Sequence, residues 1–244
     1  MSRRQRWILI AAAALLTLAA FFVQFPAALL ARALPAEAAL VQVEGSLWNG
    51  SAAALGIAGV VAQEKLAWHF EPGALLHGQL AWRVQGESRG TPGQARVVLG
   101  FKQSGLEQVN LTLPLDALTR FHPTIAGVRV GGALRVESER LARGAPIAAT
   151  LTLSQVSSAM GIEPVALGSY LLRVQADEQG KGSMNAETQS GSLAITGQGS
   201  FELARKAVSV SLRLKPSGEL PGLAPLLATL PREGDQYRLD WSRP

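Results

Sequence analysis

From Leu40 onward the dominant period of this chain is two, and that fixes most of what it can fold into. Val208, Val210, Leu212 and Leu214 alternate with Ser209, Ser211, Arg213 and Lys215; Tyr237, Leu239 and Trp241 alternate with Gln236, Arg238 and Asp240. Leu80, Trp82 and Val84, and then Val109, Leu111 and Leu113, repeat the pattern. Such alternation belongs to antiparallel strands with one dry and one wet face, because successive side chains leave a strand on opposite sides. Strands buried on both faces would read as unbroken apolar runs. Segments of this kind lie near residues 39–46, 50–58, 63–70, 78–86, 94–102, 106–113, 127–137, 146–155, 168–176, 182–188, 192–200, 207–215 and 236–242. Frequent glycine between them marks tight turns.

Three interruptions share a form: a strand, a Pro, a short Leu-rich turn of helix, then a Gly and a return strand. They start at Phe70-Glu71-Pro72, at Leu113-Pro114-Leu115 and at Lys215-Pro216. Proline ends the ladder because it lacks a donor, and the leucines that follow are expected to lie as lids over the apolar face. A sheet this wide must curl on itself, pack its halves together or hold something apolar. The expected fold is therefore mainly β: a large curved antiparallel sheet, as an open barrel or sandwich, with short helical lids. Whether its apolar face is filled by its own side chains or open to lipid or a partner is left undecided by the pattern.

The one segment outside this scheme runs apolar from Trp7 to Phe25, 19 residues with one Thr, one Gln and no charge. As a helix it is roughly 28 Å long, near the hydrocarbon thickness of a bilayer. Trp7, Leu15, Leu16, Phe21 and Phe22 are its principal membrane-facing candidates, and Arg3, Arg4 and Arg6 ahead of it set a cytoplasmic N-terminus. A cleaved secretory signal is the competing reading, with Ala31-Arg32-Ala33 as its cleavage site. Against it, a signal's apolar core usually spans only about 7–15 residues. The expected organisation is a basic stub and transmembrane anchor over 1–25, a linker over 26–38 and a β domain over 39–244.

Charge and residue usage narrow the function. Arg3, Arg4 and Arg6 supply three of the net +5 charges, leaving +2 for everything else. The remaining arginines are dispersed, often beside an acid as in Glu139-Arg140, which makes a solvated surface and not a nucleic-acid face. With no cysteine, thiol catalysis and thiolate metal sites are excluded. Gly86-Glu87-Ser88-Arg89-Gly90 fits the G-x-S-x-G pattern. That motif needs a strand-to-helix turn, and here another strand follows. His69, His77 and His122 form no ligand-spaced pair, so no metal, cofactor or catalytic residue is expected.

Trp48 and Trp68 are the candidate partner contacts, Trp48 because it sits in a tight hairpin between Gly45 and Gly50. That hairpin, Gly45-Ser46-Leu47-Trp48-Asn49-Gly50, resembles the G-T-hydrophobic-W-x-G segment of the type II secretion system protein N family. Trp68 through Leu80 is similar to the family's W-x-x-x-P-x-x-L-L-x-G-x-L element. Leu167-Gly168-Ser169-Tyr170, Gly191 through Gly197, and Gly234-Asp235-Gln236-Tyr237 follow in similar order. Ser46 stands where Thr is usual, and Ser169 where a polar or acidic residue is common. The resemblance implies a non-enzymatic, single-pass subunit in the inner membrane of a Gram-negative bacterium, with its bulk in the periplasm. Its implied partners are other type II secretion subunits, among them the secretin or the inner-membrane platform proteins. In architecture the chain also resembles AsmA-like proteins, which implies lipid binding as the alternative; that is fold analogy alone.

Overall fold

The computed structural model describes Trp7 and residues 24–101, 104–117, 130–142, 144–158, 164–218, 220 and 223–243. Among the described residues, fourteen antiparallel strands form one sheet in the order β1 to β12, then β14, then β13. The strands are β1 (Ala38–Gly45), β2 (Asn49–Ile57), β3 (Val60–Phe70), β4 (Gln79–Ser88), β5 (Thr91–Gly100), β6 (Ser104–Pro114) and β7 (Val130–Ala142). They continue as β8 (Ile147–Ser158), β9 (Val165–Ala176), β10 (Lys181–Gly191), β11 (Leu193–Glu202), β12 (Ala207–Pro216), β13 (Arg232–Glu233) and β14 (Gln236–Arg243). Each of the thirteen expected segments overlaps a strand; residues 102 and 127–129, at the ends of two of them, lie outside the described residues. The two-residue β13 is the addition, formed where the chain crosses past β14 and returns through the Gly234-Asp235 turn.

Register turns the period of two into two faces. Leu111, Val136, Leu151, Leu172, Ala186, Gly197, Leu212 and Leu239 are paired in one row across eight strands. The neighbouring row, one residue along each strand, reads Asn110, Glu137, Thr150, Arg173, Asn185, Gln198, Ser211 and Asp240. A step of one residue carries every side chain through the sheet, so one face is apolar and the other polar.

The sheet stays open. β1 pairs with β2 alone, and β14 meets only β12 and the stub β13. It is bent nonetheless: β4 approaches β6, β9 approaches β11, and even β3 approaches β6. In a flat sheet strands two apart would sit about 9.6 Å from each other. Gln63 on β3 reaches across this bend, its amide donating to the Thr112 carbonyl of β6. The apolar rows remain half-exposed at Leu151, Leu172, Ile195, Leu212 and Leu239, positions that a sandwich interior would bury. The sandwich expectation is thereby corrected to a single curved layer.

The Pro-led interruptions are turns where expected, but the first does not cover the apolar face. Pro72–His77 forms a 3₁₀ turn ended by left-handed Gly78; it packs Ala74 on Ala81 and Val98, on the face that carries Arg83 and Arg96, and leaves Leu75 and Leu76 exposed. Residues 118–129 of the second interruption lie outside the described residues. Leu115–Ala117 starts a helical turn after β6, and a short helix, Ala224–Leu227, lies between β12 and β13. Before the sheet, a helix over Ala28–Ala33 leads into β1. Among the described residues no helix is long and apolar enough to cross a membrane. Of the residues expected to form an anchor and set its topology, Trp7 is described and exposed, whereas Arg3, Arg4, Arg6, Leu15, Leu16, Phe21 and Phe22 lie outside the described residues.

Candidate functional site

Two regions hold the sequence's candidates. The first is the β1–β2 hairpin, and its motif is explained residue by residue. Gly45 has φ +85°, which an L side chain rarely adopts. The Ser46 hydroxyl accepts from the Asn49 amide at 3.1 Å and closes the loop. At Gly50 a Cβ would stand 2.5 Å from Cζ2 of Trp68 and 2.6 Å from the Glu44 carbonyl oxygen, so the Trp68 indole lies directly on a bare backbone.

Trp68 is 7% exposed, and its Nε1–H donates to the Ser46 carbonyl at 3.0 Å. Trp82 donates likewise to the Leu47 carbonyl at 3.0 Å. Trp48 is half-buried, its ring 4.8 Å edge-on from Phe70 and 6.2 Å stacked from Trp82. The hairpin is thus held by two indole donors, and Trp48 within it joins an aromatic trio with Phe70 and Trp82. Trp68 faces the interior, and the half-buried Trp48 keeps part of its ring at the surface.

The second region is the concave apolar face of β6 to β14. One end is closed: Leu115, Leu220, Leu223 and Leu227 from the lids pack on Val156, Leu167, Tyr170, Leu193 and Leu214. Tyr170, 5% exposed, donates its hydroxyl to the Leu193 carbonyl at 2.9 Å, and burial pushes its pKa up. Beyond the lids the face is open. A cavity of about 200 Å³ lies there, lined among others by Leu153, Leu172, Met184, Ile195, Val210 and Leu212. On the row through Tyr170, Thr188 donates to the Ile195 carbonyl at 2.8 Å and accepts from the same residue's amide, so its hydroxyl is paired within the sheet.

The polar face carries an ion-pair chain that sequence reasoning missed. Arg83, Arg96, Glu107 and Arg140 stand in register on β4 to β7. Glu71, just before the Pro72–His77 turn, contacts Arg83 at 2.8 Å and Arg96 at 2.7 Å, and Glu107 joins Arg96 at 2.5 Å to Arg140 at 3.0 Å. The Arg96 hydrogen bond, with the neighbouring positive charges, holds the Glu71 carboxyl below its ordinary range. The sequence signal was present as charges at strand positions that alternate with apolar ones, but their register was not.

Gly86 to Gly90 is a β4–β5 hairpin with Arg89 and Gly90 at its tip, and Ser88 is buried in the ladder opposite Thr91. Its strand-to-strand geometry exposes no nucleophile. Among the described residues no three His, Asp or Glu side chains are grouped to hold a metal.

Fold and surfaces together define a class: an open antiparallel meander, wet on one side, dry on the other, with lids over one end of the dry side. Within that class the assignment is specific. The model of the type II secretion system (T2SS) protein N family matches residues 36–241, and the chain belongs to that family. No curated protein and no solved structure matches it.

Proposed function

We propose that this protein is a non-enzymatic accessory subunit of a type II secretion system, held in the inner membrane by residues 1–25 with its β domain in the periplasm. It acts there by binding other components of the system, the secretin or the inner-membrane platform. The observation that carries this reading is the family match over nearly the whole β domain. The Trp48 hairpin supplies an aromatic contact on a rigid base, and the edge of β1 and the part of β14 that extends beyond β13 offer main-chain pairing to an extended partner segment. Deleting the gene in its native host and comparing exported proteins in the medium with those in the periplasm tests the role. Periplasmic accumulation, reversed by the anchored protein, supports it; undisturbed secretion refutes it.

The open groove favours a second reading, in which the concave face shelters acyl chains. Hydrocarbon suits this floor better than polypeptide, because the floor's own amides and carbonyls are engaged in the ladders of β8 to β12. A peptide laid there would bury unpaired polar groups of its own. Native mass spectrometry and lipid extraction of the full chain decide: co-purifying lipid supports this reading, and a lipid-free protein counts against it.

A further inference from the structure

Four of the six exposed large apolar side chains described between Ala38 and Pro114 collect at one end of the sheet; Val41 lies midway along β1 and Val61 near the other end. In a meander the β1–β2, β3–β4 and β5–β6 connections share an end. Large apolar side chains project from it at Leu75 (53% exposed), Leu76 (89%), Leu99 (48%) and Phe101 (103%). At the opposite end the connections Ala58-Gly59 and Arg89-Gly90 carry no large apolar residue and Val61 is exposed near them; residues 118–129 of the β6–β7 connection lie outside the described residues. The chain also arrives at the apolar end. Pro26 bridges Ser46, the Leu47 amide donates to the Phe25 carbonyl at 2.7 Å, and the Ala27 amide to the Gly45 carbonyl at 3.2 Å. The apolar run of residues 7–25 is therefore attached to the sheet at the rim that carries Leu76 and Phe101.

We infer that this rim is a bilayer-contact surface: Leu75, Leu76, Leu99 and Phe101 enter the interface of the membrane in which the N-terminal segment is anchored. The inference rests on the proposed anchoring. Alternate hairpins are two strand spacings apart, about 10 Å, so the point of attachment and the Phe101 turn are about 20 Å apart along the rim. Within that span a tethered domain meets a planar interface at several points at once. Leu75, Leu76 and Phe101 stand in turns, and Leu99 lies at the end of the β5 ladder opposite Ser104. That geometry suits insertion of single Leu and Phe residues into the headgroup–acyl boundary better than docking of a protein strand. The consequence is orientation: the strands of the first half rise from the membrane, and the opposite turns at Gly59 and Gly90 point away from it.

The chain has no cysteine, so single labels report cleanly. The full-length protein is reconstituted into phosphatidylethanolamine–phosphatidylglycerol vesicles with an environment-sensitive fluorophore on Leu76→Cys, Phe101→Cys, Gly90→Cys or Leu16→Cys. The expected result is blue-shifted emission at 76 and 101, quenched by lipid-borne nitroxide and shielded from iodide, with the reverse at 90. Labels at 76 and 101 that iodide quenches as fully as at 90 overturn the inference, as does shielding from iodide without nitroxide quenching, which signals contact between copies of the chain. The label at 16 separates the causes. If it is shielded while 76 and 101 are not, anchoring stands and the rim contact fails; if it too is open to iodide, anchoring itself fails.

Discussion

Gly50→Ala is the sharpest test of how the hairpin is built. The added methyl meets two atoms that have little freedom to retreat. Cζ2 of Trp68, 2.5 Å away, belongs to a buried ring whose Nε1–H is fixed on the Ser46 carbonyl, and the Glu44 oxygen at 2.6 Å belongs to the paired β1 backbone. Relief requires tilting the indole off its acceptor or opening the β1–β2 ladder. Forcing a methyl into such a site costs about 1–3 kcal/mol. The reduced freedom of the unfolded chain returns about 0.4–1 kcal/mol. For a domain of this size the net loss corresponds to a drop in Tm of roughly 2–8 °C. Gly73→Ala is the control, since a Cβ there has nothing within 4 Å; it should leave Tm unchanged or slightly raised. Thermal melts of the full chain in mild detergent, followed by far-UV circular dichroism, read both. Trp68→Phe, which removes the Cζ2 contact, should lessen the cost of Gly50→Ala, only in part because the Glu44 contact persists. A Gly50→Ala protein that melts with the wild type would refute the claim that indole and bare backbone lock the hairpin.

The other predictions concern the lid, the polar face and the trio. Tyr170→Phe removes the buried donor of the Leu193 carbonyl and should cost about 1–2 kcal/mol in denaturant unfolding, with the sheet signal retained. Glu71 has a folded pKa below its ordinary 4.5, so its contribution to stability is present above 4.5 and is lost as pH falls through the lowered value. Glu71→Gln should therefore be less stable than wild type at neutral pH, and the gap should close in acid; a gap that is constant with pH would rule out the ion-pair account. Trp48→Ala takes one ring from the trio with Phe70 and Trp82 and should lower Tm by a few degrees while weakening crosslinks to partner subunits. Loss of all β signal in that variant would make Trp48 purely a core residue.

Much of this was legible in the chain. Alternation placed thirteen strands and told the wet face from the dry one. Proline placed the interruptions, but only the later leucines, Leu115, Leu220, Leu223 and Leu227, pack on the dry face; Leu75 and Leu76 of the first turn stay exposed. The β13 stub escaped notice because two residues carry no period. The ion-pair chain escaped because charges such as Arg96 and Glu107 become neighbours only through register. The Trp48 and Trp68 environments were hidden for a related reason: a hairpin sequence shows that a side chain can project, not which way the next two strands bring rings to meet it.

Sequence by itself determined that the chain is an antiparallel β meander with one apolar face, because a period of two is a local property of the backbone. Only tertiary structure decided that the sheet bends without closing. Curvature here accumulates at extra residues in the ladders, Lys65 in β3, Gln108 in β6 and Gln155 in β8, each with φ near +50°. None of them is glycine, so the punctuation that marks turns does not mark these bulges, and each is defined by a mismatch with a neighbouring strand. Whether fourteen strands become a barrel, a sandwich or an open trough depends on the sum of such mismatches, which exists only once the strands are paired.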